Sequence, residues 1–217
     1  MTPPTRIRLD EDCWLDLCEG WLPPEEATRV FARLRDEVPW KHEAIRIAGR
    51  AILQPRLTAW YGDPGASYTY SGLTVEPIAW TPLLAGLRDA VAREAGESFN
   101  SALLNFYRDG RDSMGLHADD EPELGVNPVI ASLSVGERRR FQLRPRKGVN
   151  AEPIDLTLSN GSLLVMGGRA QHHWKHGVPK EKKILDGRIN LTFRRVVGRI
   201  APTLTRRPTH VNGQEFG

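Results

Sequence analysis

Apolar positions along this chain repeat with two different periods, and the period changes near residue 100. From Glu25 to Val38, residues Ala27, Phe31, Leu34 and Val38 recur at helical spacing behind a Pro23-Pro24 entry. Proline suits a helix start because the first turn leaves its backbone donors unused anyway. A second helix is predicted from Thr81, a side-chain cap followed by Pro82. Leu84, Leu87 and Val91 form its apolar stripe, and Gly96 closes it. After about Ser101 the apolar residues alternate instead. Val129, Ala131, Leu133 and Val135 share one face, and Phe141 with Leu143, then Ile154, Leu156 and Leu158, repeat the pattern. Gly161 precedes a short apolar run from Ser162 to Met166, and Ile189, Leu191 and Phe193 alternate again. Short strands parted by Gly, Pro and Asn turns predict antiparallel sheets arranged as a sandwich or barrel. The expected outline is an α+β chain: a section with two helices over 1–100, an all-β core over 101–197 and a polar tail over 198–217.

Composition narrows the class without choosing a function. The 217 residues suffice for one domain of ordinary size, and the 40% hydrophobic content excludes disorder, collagen and coiled coil as descriptions of the whole. No apolar run approaches the ~20 residues that span a bilayer, so no membrane partner is expected. Met1 to Asp10 contains no apolar segment of the secretory kind. Cys13 and Cys18 are too few for a disulfide framework and suit a reducing compartment. The expectation is a cytoplasmic protein, nuclear if the source is eukaryotic, and a monomer. The net charge of +3 permits nucleic acid without requiring it. Distribution is more telling: Arg138, Arg139, Arg140, Arg144, Arg146 and Lys147 form a basic run, and Asp119, Asp120, Glu121 and Glu123 an acidic knot beside His117.

Three features carry chemistry. In His117-Ala118-Asp119, two side chains at i and i+2 of an extended segment point the same way, so an imidazole and a carboxylate can share one metal. His172, His173 and His176 offer a second imidazole, completing two histidines and one carboxylate, the set that leaves three positions open on Fe(II). Zinc competes for such a set, although the chain has no Cys-x-x-Cys. In Arg188-Ile189-Asn190-Leu191-Thr192-Phe193-Arg194, alternation puts Arg188, Asn190, Thr192 and Arg194 on one face. Six residues of strand span about 20 Å; two arginines leaning inward by about 6 Å each leave about 8 Å, the length of a five-carbon diacid. Each guanidinium can form a bidentate pair with one carboxylate.

Taken in order, Asn105-Phe106-Tyr107, His117-Ala118-Asp119-Asp120-Glu121, Trp174-Lys175-His176-Gly177-Val178-Pro179 and Arg188 to Arg194 resemble the AlkB family of Fe(II)- and 2-oxoglutarate-dependent dioxygenases. The likeness runs over roughly Gln54 to Val196 and is nearest to the family's DNA-repair members. It implies a double-stranded β-helix (jelly-roll) core with an amino-terminal nucleotide-recognition lobe. It also implies iron ligation by His117, Asp119 and His176, and 2-oxoglutarate held by Asn105, Tyr107, Arg188, Asn190 and Arg194. The implied cofactors are Fe(II), 2-oxoglutarate and O2. The implied reaction removes N-methyl groups from bases such as 1-methyladenine and 3-methylcytosine, releasing formaldehyde, succinate and CO2. The partner it implies is nucleic acid, DNA first, single-stranded or duplex with a flipped base. RNA, a protein or a small molecule is the alternative substrate.

Substrate contacts are expected in the amino-terminal half. Tyr68 and Tyr70 share a strand face within Ser67-Tyr68-Thr69-Tyr70-Ser71-Gly72 and could stack on a base, with Ser71 beside them. Glu121 could accept from an exocyclic amino group. Arg46, Arg50 and Arg56 could meet phosphates. The intervening Ile45-Arg46-Ile47-Ala48-Gly49 carries no aromatic wedge, which makes single-stranded substrate at least as suitable as duplex.

Overall fold

The computed structural model describes residues 3–47, 50–66, 68–70 and 73–197. In chain order the first half holds β1 (Thr5–Arg8), β2 (Cys13–Cys18), α1 (Pro24–Glu37), β3 (Ala44–Ile47), β4 (Arg50–Leu53), β5 (Leu57–Gly62), β6 (Tyr68–Tyr70), β7 (Leu73–Val75) and α2 (Pro82–Ala95). The second half holds β8 (Ser101–Tyr107), β9 (Met114–His117), β10 (Ile130–Gly136), β11 (Arg139–Pro145), β12 (Ile154–Leu158), β13 (Leu163–Gly168), the one-turn α3 (Ala170–His173), β14 (Trp174–Val178) and β15 (Arg188–Arg194). A 3-10 turn spans Pro122–Leu124.

Seven strands pair antiparallel in the order β1-β2-β13-β10-β15-β8-β5 and four in the order β12-β11-β14-β9. The β3/β4 and β6/β7 hairpins stand apart as two-stranded sheets. Two apolar clusters explain the layering. On one face of the large sheet, Leu133, Leu191 and Phe193 pack with Val30 and Leu34 of α1 and with Leu84, Leu87 and Val91 of α2. A second cluster holds Leu15, Tyr107, Leu164 and Met166 of the large sheet together with Phe141, Leu143, Trp174 and Val178 of the small one. Two facing antiparallel sheets over one core, with helices against the outer face, are the expected jelly-roll arrangement.

Local sequence accounts for the helices. Pro24 begins α1, Glu25 and Glu26 lie in its first turn where the helix dipole favours acids, and Ala27, Val30 and Leu34 are buried. In α2 the Thr81 hydroxyl accepts from the Leu84 amide at 3.2 Å, and Gly96 closes the helix at φ +65°.

β15 departs from a half-exposed strand. It lies between β10 and β8, and every residue from Arg188 to Arg194 is buried. Its apolar face meets the helices, while its polar face looks into the space between the sheets. The boundary expected at residue 100 is not a division within the sheet. β2 pairs with β13 and β5 pairs with β8, so the first hundred residues supply three of the seven strands of the large sheet, β1, β2 and β5, beyond the hairpin lobe. The predicted tail from Gly198 lies outside the described residues. No described helix is long and apolar enough to cross a membrane.

Candidate metal centre and diacid site

Register brings the first histidine pair together. In the small sheet β14 pairs with β9 so that His176 sits directly opposite His117, their ring centroids 4.4 Å apart. Such close packing of the two strands requires a glycine beside His176. A Cβ on Gly177 would lie 2.8 Å from the Met114 carbonyl oxygen of β9. Asp119 follows in the loop after β9. Its carboxylate oxygens lie 3.8 Å from His117 Nε2 and 4.0 Å from His176 Nε2, and one ligand atom from each residue falls within 4.8 Å of the others. Of the three clustered histidines, then, His176 joins His117 and Asp119. His172 Nε2 instead meets the Val126 carbonyl oxygen, and His173 faces Asp10 and Cys13.

Each of the three is held by a partner that leaves its inward atom available. His117 Nδ1 lies 3.0 Å from the Gly115 carbonyl oxygen. A carbonyl only accepts, so the proton sits on Nδ1 and the Nε2 lone pair faces Asp119. The Phe141 ring stacks on His176 at 5.5 Å. The Asp119 amide donates to Gln171 Oε1 at 3.0 Å, and Asp119 Oδ1 accepts from Arg194 Nη2 at 2.8 Å. Asp119 Oδ2 is buried with no hydrogen-bond partner among the described residues. Burial pushes the Asp119 carboxyl up, but the Arg194 guanidinium and both histidines outweigh it and bring it down to about 2. His176 is lowered to about 3, first by burial and then by neighbouring His117 and Arg194, against an upward pull from Asp119, so its imidazole is neutral at pH 7. Two imidazoles and an ionised carboxylate with an orphaned oxygen fit a divalent cation of the Fe(II) type.

The diacid face is built across three neighbouring strands. Arg188 stands opposite Tyr107, and Asn190 opposite Asn105, in the β15/β8 ladder, so all four share one face of the large sheet. From β10, Ser132 and Ser134 reach the same face: Ser134 Oγ accepts from Arg188 Nη2 at 2.8 Å, and Ser132 Oγ accepts from Asn190 Nδ2 at 2.7 Å. Thr192 Oγ1 donates to Asn190 Oδ1 at 2.9 Å, and Arg56 Nε donates to Asn105 Oδ1 at 2.7 Å. Arg188 is 1% exposed, yet its Nε and Nη1 have no acceptor among the described residues. Burial lowers it to about 10, which leaves it charged at neutral pH. A buried cation with two unused donors fits a carboxylate. The cavity into which Arg188 faces is also lined by Asn105, Tyr107, His117, Asp119, His176 and Arg194, so the diacid face and the triad belong to one site.

A second cavity, of about 320 Å³, is lined from both sides by the edge strands β5 and β9 and shares His117, Asp119 and Arg194 with the first. Trp60, Ile78, Leu103 and Leu116 give it apolar walls, and its charged lining holds Glu43, Glu76 and Glu121 together with Lys41 and Arg56. Glu121 is thereby placed beside the triad. Ser71 and the side chains of Tyr68 and Tyr70 lie outside the described residues, as do the side chains of Arg46 and Arg50. Arg56 lies inside rather than on the surface: it is 6% exposed, bonded to Asn105 and part of the lining of this cavity. Nor is the basic run a uniform surface face. Arg139 is 1% exposed and donates to the backbone oxygens of Asp109, Asp112 and Pro179. Sequence reading missed Gln171, Ser132 and Ser134. The serines could have been found, since they alternate with Ala131, Leu133 and Val135; nothing in the sequence marks Gln171.

Comparison with known proteins bears on this geometry. Residues 15–194 match the model of the 2OG-Fe(II) oxygenase superfamily. The chain is 44% identical over 188 residues to alpha-ketoglutarate-dependent dioxygenase alkB homolog 3 of Bos taurus, covering 83% of this chain and 65% of that one. It is 41% identical over 183 residues to DNA oxidative demethylase ALKBH2 of Mus musculus, covering 79% and 76% respectively. The chain thus spans a little under two thirds of the alkB homolog 3 relatives it matches. The solved structure of OsALKBH1 superposes with a TM-score of 0.63 at 19% identity, over 89% of this chain and all of that one, a likeness of fold. With the motif order, the sheet topology and the triad in agreement, the chain belongs to the AlkB family of the 2OG-Fe(II) oxygenase superfamily.

Proposed function

We propose that this chain oxidatively demethylates N-alkylated bases in DNA, converting a base N-methyl group to N–H and formaldehyde while 2-oxoglutarate and O2 become succinate and CO2. The observation that carries the reading is the cavity of about 320 Å³ that shares its wall with the triad and is lined by Glu43, Glu76 and Glu121. That volume falls within the usual range for small-molecule sites, about 300–1,000 Å³. A methyl group on N1 of adenine or N3 of cytosine makes the ring a cation, which Glu121 beside the triad would attract, while Lys41 and Arg56 elsewhere on the wall balance Glu43 and Glu76. Trp60, Ile78 and Leu116 offer flat or apolar surface for the ring, and Glu121, on the same wall, would accept from its exocyclic amino group. The names of the relatives, a DNA oxidative demethylase among them, support the same reading.

The chain's own residues divide the work. His117, Asp119 and His176 would hold Fe(II), which together with 2-oxoglutarate and O2 supplies the oxidation of the methyl C–H bond when bound. Arg188, with Ser134 fixing one nitrogen, neutralises one carboxylate of 2-oxoglutarate, and Asn105 and Asn190 offer amide groups along the same face. Arg194 holds Asp119 by one oxygen and leaves the other to the metal. Burial of this face excludes water from the reacting centre, which strengthens each of these charge contacts. Incubation of the protein with Fe(II), 2-oxoglutarate and a methylated DNA oligonucleotide should release formaldehyde. Release from RNA alone would move the substrate, and release from neither would sink the reading.

A further inference from the structure

Away from the triad, three side chains of metal-ligating type converge beside the first strand of the large sheet. Asp10 lies in the turn between β1 and β2, Cys13 opens β2, and His173 ends α3. His173 Nδ1 is 3.1 Å from Asp10 Oδ2 and 3.4 Å from Cys13 Sγ, and the three ligand atoms fall within 4.8 Å of one another. Cys13 and His173 both hydrogen-bond to the Asp10 carboxylate in the metal-free protein, so all three ligand atoms already converge on one point. A cation among them takes a lone pair from each. Zinc bonds of about 2.0–2.1 Å to nitrogen or oxygen and 2.3 Å to sulfur give tetrahedral edges of about 3.3 Å and 3.6 Å. The two edges from His173, 3.1 Å to Asp10 and 3.4 Å to Cys13, are within about a quarter of an ångström of those values.

The surroundings are also those of a ligand set. Asp10 Oδ2 accepts from Trp174 Nε1 at 2.9 Å, and Asp10 Oδ1 accepts from the Asp12 amide at 3.0 Å, so the carboxylate is oriented by outer donors as metal-bound carboxylates are. Cys13 is buried, while the Asp10 and His173 side chains keep 17% and 24% exposure, which leaves room for water as a fourth ligand. We propose that Asp10, Cys13 and His173 form a second metal site, for a divalent cation of the zinc class, that clamps the β1–β2 turn to the segment leading into β14. It shares no ligand with the triad, and it contains a thiol where the triad has none. Binding exchanges the Cys13 S–H bond for an S–metal bond and releases that proton to solvent, so affinity rises with pH.

Cobalt(II) reads this site directly, because only a thiolate ligand gives a sulfur-to-cobalt charge-transfer band in the near ultraviolet. Metal-free protein titrated with cobalt(II) should take up two equivalents and develop that band. His117→Ala should keep the band and lose one equivalent. His173→Ala should lose the band and keep the other equivalent, with its circular dichroism and its 2-oxoglutarate turnover unchanged as checks on folding. Cys13→Ser, which also lacks the band, excludes Cys18 as its source. Zinc saturation of His117→Ala should raise Tm by about 5 °C or more. Uptake of a single equivalent without the band, abolished by His117→Ala, would overturn the proposal and leave a hydrogen-bonded Asp-Cys-His cluster.

Discussion

Arg188 is a guanidinium buried to 1% exposure, and among the described residues its Nε and Nη1 have no hydrogen-bond acceptor, an arrangement that costs stability in the unliganded protein. Its replacement therefore separates two effects that usually move together. Arg188→Met should raise the Tm of the cofactor-free protein while 2-oxoglutarate binding collapses. A lost charge-assisted contact of about 3 kcal/mol corresponds to roughly 100-fold in the 2-oxoglutarate requirement. Calorimetry without ligand and a 2-oxoglutarate titration check the two halves; a lower Tm with an unchanged titration would mean that Arg188 is a packing residue. At the triad, His117→Ala removes an inward lone pair and should abolish turnover, since even outer partners of metal ligands cost about 10–100-fold. Normal turnover by that variant would refute the assignment. Gln171→Ala should have a milder effect, weakening Fe(II) affinity through the Asp119 amide it holds. Anaerobic Fe(II) titration distinguishes the two.

At the scale of the element, the argument rests on β9 and β14 lying close enough for His117 to face His176. Gly177→Ala puts a Cβ 2.8 Å from the Met114 carbonyl oxygen, so the strands must part. Fe(II) affinity should fall by tenfold or more, whereas Gly115→Ala, whose Cβ meets nothing within 4 Å, should fold and load normally. Equal affinity in the two variants would show that the pair tolerates a wider spacing. Elements with a strong period or a paired cap were readable beforehand: α2 from Thr81 and Gly96, and β15 from its alternation. β15 was harder to place than to find. A strand polar on one face reads equally as an edge, and only the ladders to β8 and β10 show that its charged face is interior. The same difficulty hid Arg139 in a basic run, because its acceptors are backbone oxygens of Asp109, Asp112 and Pro179, distant in sequence. The helix stripe named Phe31 as core; the structure buries Val30 more fully and leaves Phe31 partly exposed, edge-on to Phe106 at 6.3 Å. Leu191, between the sheet and the helices, is fully buried, and Leu191→Ala should cost about 2–5 kcal/mol.

Across the whole molecule, titration limits stability on both sides of neutrality. Asp10 and Asp109 are each lowered to about 2. For Asp10, burial acts upward and is outweighed by hydrogen bonds from Cys13, Trp174 and His173; for Asp109, the main cause is its hydrogen bonds with Arg111. Their contribution is present above the unfolded value of about 3.9 and is lost as pH falls towards 2. At the other end, burial raises the Cys13 thiol to about 12 and the Cys18 thiol to about 11, with nearby carboxylates adding to it. The unfolded thiols ionise near about 8.5 while the folded ones stay protonated, so stability falls as pH rises above that value. Metal-free protein should accordingly show a Tm plateau between about pH 5 and 8, with an alkaline decline that Cys18→Ala makes shallower. A decline equally steep in Cys18→Ala would assign the alkaline limit to other groups. The central claim joins the triad, the diacid face and the neighbouring cavity into one demethylating site. It is tested most directly by anaerobic loading with Fe(II) and 2-oxoglutarate, then mass spectrometry of a DNA oligonucleotide bearing 1-methyladenine after oxygen is admitted. The account predicts loss of one methylene from the oligonucleotide, matched mole for mole by succinate and absent in His117→Ala; succinate formed with the methyl group still in place would contradict it.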